Sequence, residues 1–175
     1  SLSRFQGDYV FLLSMAGLIM LGGISYTVLA NVIGTRRFSR FALDTKLVLI
    51  ISIALWGLGT IVLLAMEYSN PETIGNLPPA GKVVNSFFHS VSMRTAGFVT
   101  VDEALLQQHT TFLDIAFMFI GGASASTASG IKVNTLAVLL VAMASTIRGK
   151  AHSQAFGREI SEIQVNRAVT IVFLA

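Results

Sequence analysis

The chain has no cysteine, which removes disulfides, thiolate metal sites and cysteine nucleophiles from consideration. Charge is scarce too: 12% of its 175 residues are Asp, Glu, Lys or Arg, about half the share carried by a soluble domain. The three histidines, His89, His109 and His152, are scattered and form no zinc-type cluster; they are read as uninformative. Proline is confined to Pro71, Pro78 and Pro79, which marks residues 69–81 as a structured loop. Ser124-Ala125-Ser126-Thr127 has no His or Lys/Asp partner in a recognisable arrangement. The chain is therefore expected not to be an enzyme and to carry no cofactor.

What the chain has in abundance is apolar residues, 53% of the total. They gather into runs long enough to cross a bilayer, which takes roughly 20 residues of helix. The net charge of +3 comes from basic residues grouped between those runs. That pattern reads as membrane topology and not as a phosphate-binding surface, so no nucleic acid is expected. The first run, 9–33, is too long for a signal-peptide core and lacks a cleavage pattern. Ser1 is not an initiator Met and the last apolar run stops at Ala175; the chain is expected to be a piece of a longer membrane protein.

Residues 9–33 are uncharged and are expected to form one spanning helix, with Gly17, Gly22 and Gly23 serving close helix packing. A second span is expected over about 47–66. In the segment 82–92, Val83, Val84, Phe87, Phe88 and Val91 recur at helical spacing, but the stretch is half the length of a span. Arg94-Thr95-Ala96-Gly97-Phe98 follows at once and is a poor helix continuation. An apolar half-helix that stops at mid-depth must turn back, and irregular backbone there is tolerated only inside protein or beside a water-filled cavity. A surface amphipathic helix is the alternative for 82–92. Residues 111–147 are too long for an ordinary span, and their middle, 121–132, is ten small residues out of twelve. This predicts a span broken within the membrane. Arg167 is expected to open a final, partial span.

Arg36, Arg37, Arg40 and Lys46, and again Arg148, Lys150, Arg158 and Arg167, are the basic clusters. The positive-inside rule makes both segments cytoplasmic and puts the proline-rich side outside. The fold expected is all-α and integral to the membrane, a multi-pass protein of the cell inner (plasma) membrane. A span, an outer half-helix, an irregular loop and a second span are similar to the M1–pore-loop–M2 unit of potassium channels. The physics of that unit is that a dehydrated monovalent cation needs rings of carbonyl oxygens, which only non-helical backbone can aim inward. Gly97 suits the task because glycine reaches backbone angles closed to other residues. Arg94, beside this loop, is expected to anchor it through carboxylate or carbonyl contacts; Asp114 and Lys132 are ionisable groups near membrane depth, which are functional candidates by default.

The run His89-Ser90-Val91-Ser92-Met93-Arg94-Thr95-Ala96-Gly97-Phe98-Val99-Thr100-Val101-Asp102 resembles the third pore loop of the Trk/Ktr/HKT superfamily of potassium transporters. Gly121-Gly122 through Gly130-Ile131-Lys132 resembles that family's interruption in the second helix of the same repeat, and Leu21-Gly22-Gly23 and Phe156-Gly157-Arg158 are similar as well. The likeness is greatest to membrane subunits of the KtrB and TrkH type. It implies four M1–pore-loop–M2 repeats around one pore, of which this chain would supply three parts. Residues 1–45 would be the second helix of the preceding repeat plus a cytoplasmic linker. Residues 46–148 would be a complete repeat, with spans at about 47–66 and 111–147, a pore helix at about 82–92 and a filter at 94–98. Residues 149–175 would be a cytoplasmic linker and the start of the next repeat.

The resemblance further implies that Thr95, Ala96, Gly97 and Phe98 line the filter, with potassium, and possibly sodium, held by the backbone carbonyls of Thr95, Ala96 and Gly97. It implies a gate loop that includes Gly121, Gly122, Ser126, Thr127, Gly130 and Lys132, in which Ala125 and Ser129 stand where the family usually has glycine and should stiffen the loop. The function implied is potassium transport, passive or sodium-coupled. The partners implied are a second copy of the full membrane subunit and a cytoplasmic nucleotide-binding regulatory ring of the KtrA or TrkA type, docked near Arg148, Lys150 and Arg158. A secondary transporter with broken helices around a midplane substrate site is the alternative; it would not need an outer half-helix ending in a glycine loop.

Overall fold

The computed structural model describes residues 2–35, 37–94, 96–124, 131–149 and 152–174. Among these residues the helices are α1 (Tyr9–Gly23), α2 (Tyr26–Thr35), α3 (Leu43–Glu67), α4 (Pro79–Ser92), α5 (Gln108–Met118), α6 (Val133–Ile147) and α7 (Glu162–Leu174). A two-residue hairpin, β1 (Gln154–Ala155) with β2 (Arg158–Glu159), is a small departure from an all-helical chain. Its turn places both Phe156 (φ 52°) and Gly157 (φ 73°) in the left-handed region, the pair of angles that a tight hairpin demands.

The central helix is α3. At 25 residues it is long and apolar enough to cross a membrane, with a length of about 37 Å at 1.5 Å per residue. Val48, Ser52, Trp56, Gly59, Leu63 and Glu67 recur every three or four residues and form its buried stripe. The opposite side shows Ile50, Ile53, Leu58 and Ile61. A helix apolar on every side belongs in lipid, and the stripe is set by packing and not by polarity.

The expectation of one helix over 9–33 is overturned. The run divides into α1 and α2, whose axes differ by 99°. Gly22-Gly23 weakens the end of α1, Ile24 turns extended (φ −86°, ψ 133°), and the Ser25 hydroxyl accepts the Thr27 N–H at 3.2 Å to start α2. The freed carbonyl of Gly23 accepts a hydrogen bond from Ala123 N at 3.0 Å. Gly23 therefore ends a helix; a Cβ there would meet nothing within 4 Å, so close packing against a neighbour is not its task.

Helix α4 starts at Pro79, which suits a first helical position because its missing N–H would have had no partner. Pro78 and Pro79 thus open a helix within the stretch expected as loop. The helix is no surface element: Phe88 and Ser90 are fully buried, and Leu12 and Ala16 of α1 join Trp56, Phe88 and Val91 in one cluster around it. Close approach to α3 depends on Gly59, where a Cβ would come within 2.4 Å of Ser90 Oγ. That hydroxyl donates to the Trp56 carbonyl at 2.8 Å.

Two further clusters continue the core along the molecule. Val28, Val48 and Ala123 join α2, α3 and the segment after α5. Leu47, Ala137 and Ile160 join α3, α6 and the chain after the hairpin. Helix α7 begins at Glu162, so Arg167 lies inside it and does not open it.

Candidate functional site

The site is built at the C-terminal end of α4. The helix ends at Ser92, and this residue organises the loop beyond it. Its carbonyl accepts from Ala96 N at 3.0 Å and Gly97 N at 3.3 Å. Its hydroxyl donates to the Phe98 carbonyl at 2.5 Å and accepts from Phe98 N at 2.9 Å. The chain can fold back on itself this tightly because Gly97 adopts φ 73°, a strained value for any side chain although the space around it is open. Among the described residues no hydrogen bond reaches the carbonyls of Ala96 and Gly97. A cavity of about 390 Å³ lies against the loop and is lined by His89, Ser92, Ala96, Gly97, Phe98 and Met118 among others.

The loop is held from outside. Leu2 N donates to the Val99 carbonyl at 2.6 Å, and the Gln6 amide to the Thr100 carbonyl at 2.7 Å. The Asn85 amide of α4 donates to the Gln6 carbonyl at 3.0 Å. The stretch before α1, which sequence reasoning left without a role, is therefore a strap across the end of the loop.

Behind the loop, α5 stops at Met118 and helix resumes at Val133. The backbone groups set free near this break find specific partners, as buried backbone must. Gly121 N donates to the Ile131 carbonyl at 3.0 Å, Ile131 N to the Phe119 carbonyl at 3.1 Å, and Val133 N to the Gly122 carbonyl at 3.0 Å. Ser124 N donates to Asn134 Oδ1 at 2.8 Å, and the Asn134 amide donates in turn to Asp44 Oδ1. The Gly121 carbonyl takes the Arg94 guanidinium: Nη2 lies 2.9 Å away.

Two buried polar centres complete the frame. Glu67, fully buried at the end of α3, accepts four hydrogen bonds. Its Oε1 takes Gln107 N (3.0 Å) and the Thr110 hydroxyl (2.5 Å); its Oε2 takes the Asn70 amide (2.7 Å) and the Thr73 hydroxyl (2.8 Å). One carboxylate thus ties α3, the proline-containing turn and the start of α5. His89 Nε2 meets Asp114 Oδ2 at 3.0 Å, joining α4 to α5 in a pair that is almost fully buried. Reading His89 as uninformative was wrong. The available signal was an ionisable group on a half-helix and another, Asp114, on a span, since polar groups at membrane depth seek one another.

Of the residues expected in the filter, Ala96, Gly97 and Phe98 share this loop, and the Phe98 carbonyl is engaged by Ser92. Thr95 lies outside the described residues. Of those expected in the gate loop, Gly121 and Gly122 are buried and the half-buried Lys132 precedes α6. Ser126, Thr127 and Gly130 lie outside the described residues, as do Ala125 and Ser129. Arg94 makes the carbonyl contact expected of an anchor.

The family model of TrkH, described as a cation transport protein, matches residues 1–173. The chain is 37% identical to the Ktr system potassium uptake protein B of Bacillus subtilis over 98% of its own length and 38% of that protein's. It is 34% identical to the Ktr system potassium uptake protein B of Vibrio alginolyticus, covering 100% of the chain and 39% of the relative. It is 32% identical to the potassium/sodium uptake protein NtpJ of Enterococcus hirae, covering 99% and 38%. The chain therefore spans about two fifths of the length of the curated relatives it matches. Its fold matches the crystal structure of the potassium transporter TrkH from Vibrio parahaemolyticus with a TM-score of 0.72 over 95% of the chain and 36% of that protein, at 19% identity.

Proposed function

The chain belongs to the TrkH family of cation transport proteins, and from that premise we propose that it supplies one pore-lining repeat of a membrane subunit that conducts potassium. Its fold is that of an all-α membrane transporter. In the proposed repeat α3 is the first span, α4 the pore helix, 94–98 the filter loop, and α5 with α6 the interrupted second span. Helices α1 and α2 are then the second span of the preceding repeat, and α7 begins the next.

The observation that carries this reading is the loop itself. A half-helix buried from Phe88 to its end at Ser92 delivers the chain to Gly97 at φ 73°, and the carbonyls of Ala96 and Gly97 are left without a hydrogen-bond donor among the described residues. Carbonyls in that state can replace the hydration shell of a cation, and the α4 C-terminus adds a partial negative charge on the same side. Arg148 and Arg158 are exposed, and with Lys150 they would sit on a cytoplasmic face where a regulatory ring docks; Lys150 lies outside the described residues. Two copies of the full subunit are expected to pair. The secondary-transporter alternative has no use for a half-helix ending in a glycine loop.

The test is potassium uptake by the full-length protein carrying Gly97→Asp. A side chain at this φ is strained and brings a carboxylate to the loop, so uptake should fall at least tenfold or lose its preference for potassium over sodium. Unchanged uptake with unchanged ion preference would rule the filter reading out.

A further inference from the structure

Arg94 is 7% exposed, yet no carboxylate among the described residues lies within ion-pairing distance of it. Its guanidinium donates to the Gly121 carbonyl at 2.9 Å and lies 5.5 Å from the centre of the Trp56 ring. Its Nε is buried and has no partner. A guanidinium has five N–H donors and usually meets a carboxylate when buried. Here it is turned onto one backbone oxygen of a broken helix.

Where that oxygen lies gives the contact its meaning. Gly121 also donates its N–H to Ile131, and Ile131 donates to Phe119, so Gly121 bridges both lips of the break. At its other end, Arg94 follows Ser92, which holds Ala96, Gly97 and Phe98 in place. The arginine is thus a rigid strut from the glycine loop to the residue that closes the break. If Gly121 moves, the guanidinium loses its carbonyl at a buried position, a loss that shifts an equilibrium roughly ten- to a hundredfold. If the loop moves, Gly121 loses its donor.

We propose that Arg94 is a positioning residue that couples the glycine loop to the segment around Gly121 behind it, so that ion preference at the one and the exposure of the other are set together. The inference rests on the pore reading above. It differs from an electrostatic-barrier role, in which only the charge of Arg94 would matter.

The test uses the full-length protein on a cysteine-free background in proteoliposomes, with two readouts. The ratio of potassium to sodium flux reports on the loop. The rate at which a water-soluble thiol reagent labels Ser124→Cys, an exposed position beside the break, reports on the interrupted segment. Arg94→Lys keeps the charge and loses the fork, and Arg94→Met loses both. Coupling requires both variants to change the flux ratio and the labelling rate together, each at least threefold. If Arg94→Lys matches the parent while Arg94→Met only raises flux, the charge alone acts and the proposal is overturned. A change in one readout without the other overturns it as well. Should neither variant assemble, Trp56→Leu, which removes the ring under the guanidinium, must move both readouts in the same direction, or the strut does not exist. The Gly97→Asp result separates the two levels: if it leaves both uptake and ion preference unchanged the pore reading fails, and if it does not, a failure of the Arg94 variants removes the coupling alone.

Discussion

The molecule breaks two helices at related sequences and heals them in opposite ways. Met20-Leu21-Gly22-Gly23-Ile24-Ser25 and Phe119-Ile120-Gly121-Gly122-Ala123-Ser124 share a large residue, a branched one, two glycines and a serine at matching positions. At the first, helix resumes after Ile24 and Ser25, and Ser25 itself caps the new helix. At the second, between α5 and α6, partners come from elsewhere: Arg94 of the glycine loop donates to the Gly121 carbonyl, and Asn134 of α6, itself held by Asp44 of α3, accepts from Ser124 N. The two meet where Ala123 N donates to the Gly23 carbonyl. A short break can be closed by a local cap. At the longer one, the Gly121 carbonyl and the Ser124 N–H, both among the described residues, find their partners on distant elements, so their position depends on those elements. That dependence is what allows the second break, and not the first, to be coupled to the loop.

The comparison can be broken or sharpened by substitution in the full-length protein. The largest effect is expected ahead of the long break. Asp114→Ala leaves His89 buried without its partner and should cost about 3 kcal/mol, read as a large drop in the detergent unfolding temperature; a drop no greater than that of an exposed control would mean the pair does not hold α5. Next comes Asn134→Ala, which removes the acceptor of Ser124 N and the donor to Asp44. About 1–2 kcal/mol should be lost, together with faster hydrogen exchange at the Ser124 amide; unchanged exchange would deny Asn134 its role. The finest test contrasts the matching serines. Ser25→Ala removes a cap worth about 1 kcal/mol, whereas Ser124, which takes part through its backbone N–H, should tolerate alanine within about 0.5 kcal/mol. Equal losses at the two serines would erase the distinction drawn between the breaks.

Much of the candidate site was legible beforehand. The half-helix was marked by apolar residues at helical spacing over half a span, the loop by Arg94 to Phe98, and the second break by its small residues. The first break was missed because Gly22-Gly23 alone fits either a packing surface or a helix end, and only the Ser25 cap and the Ala123 donor decide between them. The hexapeptide repeat was the signal that could have found it. Glu67 was missed for another reason. At the end of a span a carboxylate ordinarily meets water, and nothing in its neighbours revealed that Asn70, Thr73, Gln107 and Thr110 would converge on it.

By itself the sequence determined the solvent of this protein and the length scale of its parts. Scarce charge and long apolar runs call for a membrane, and 82–92 is too short a stretch of helix to cross one. These are properties of composition and spacing, which a chain carries before it folds. Only the tertiary structure decided which polar groups meet. Arg94 on Gly121, His89 on Asp114 and Gly23 on Ala123 join residues 25 or more positions apart. In lipid apolar contact is not selective, so those pairings depend on which faces and depths the packed helices bring together.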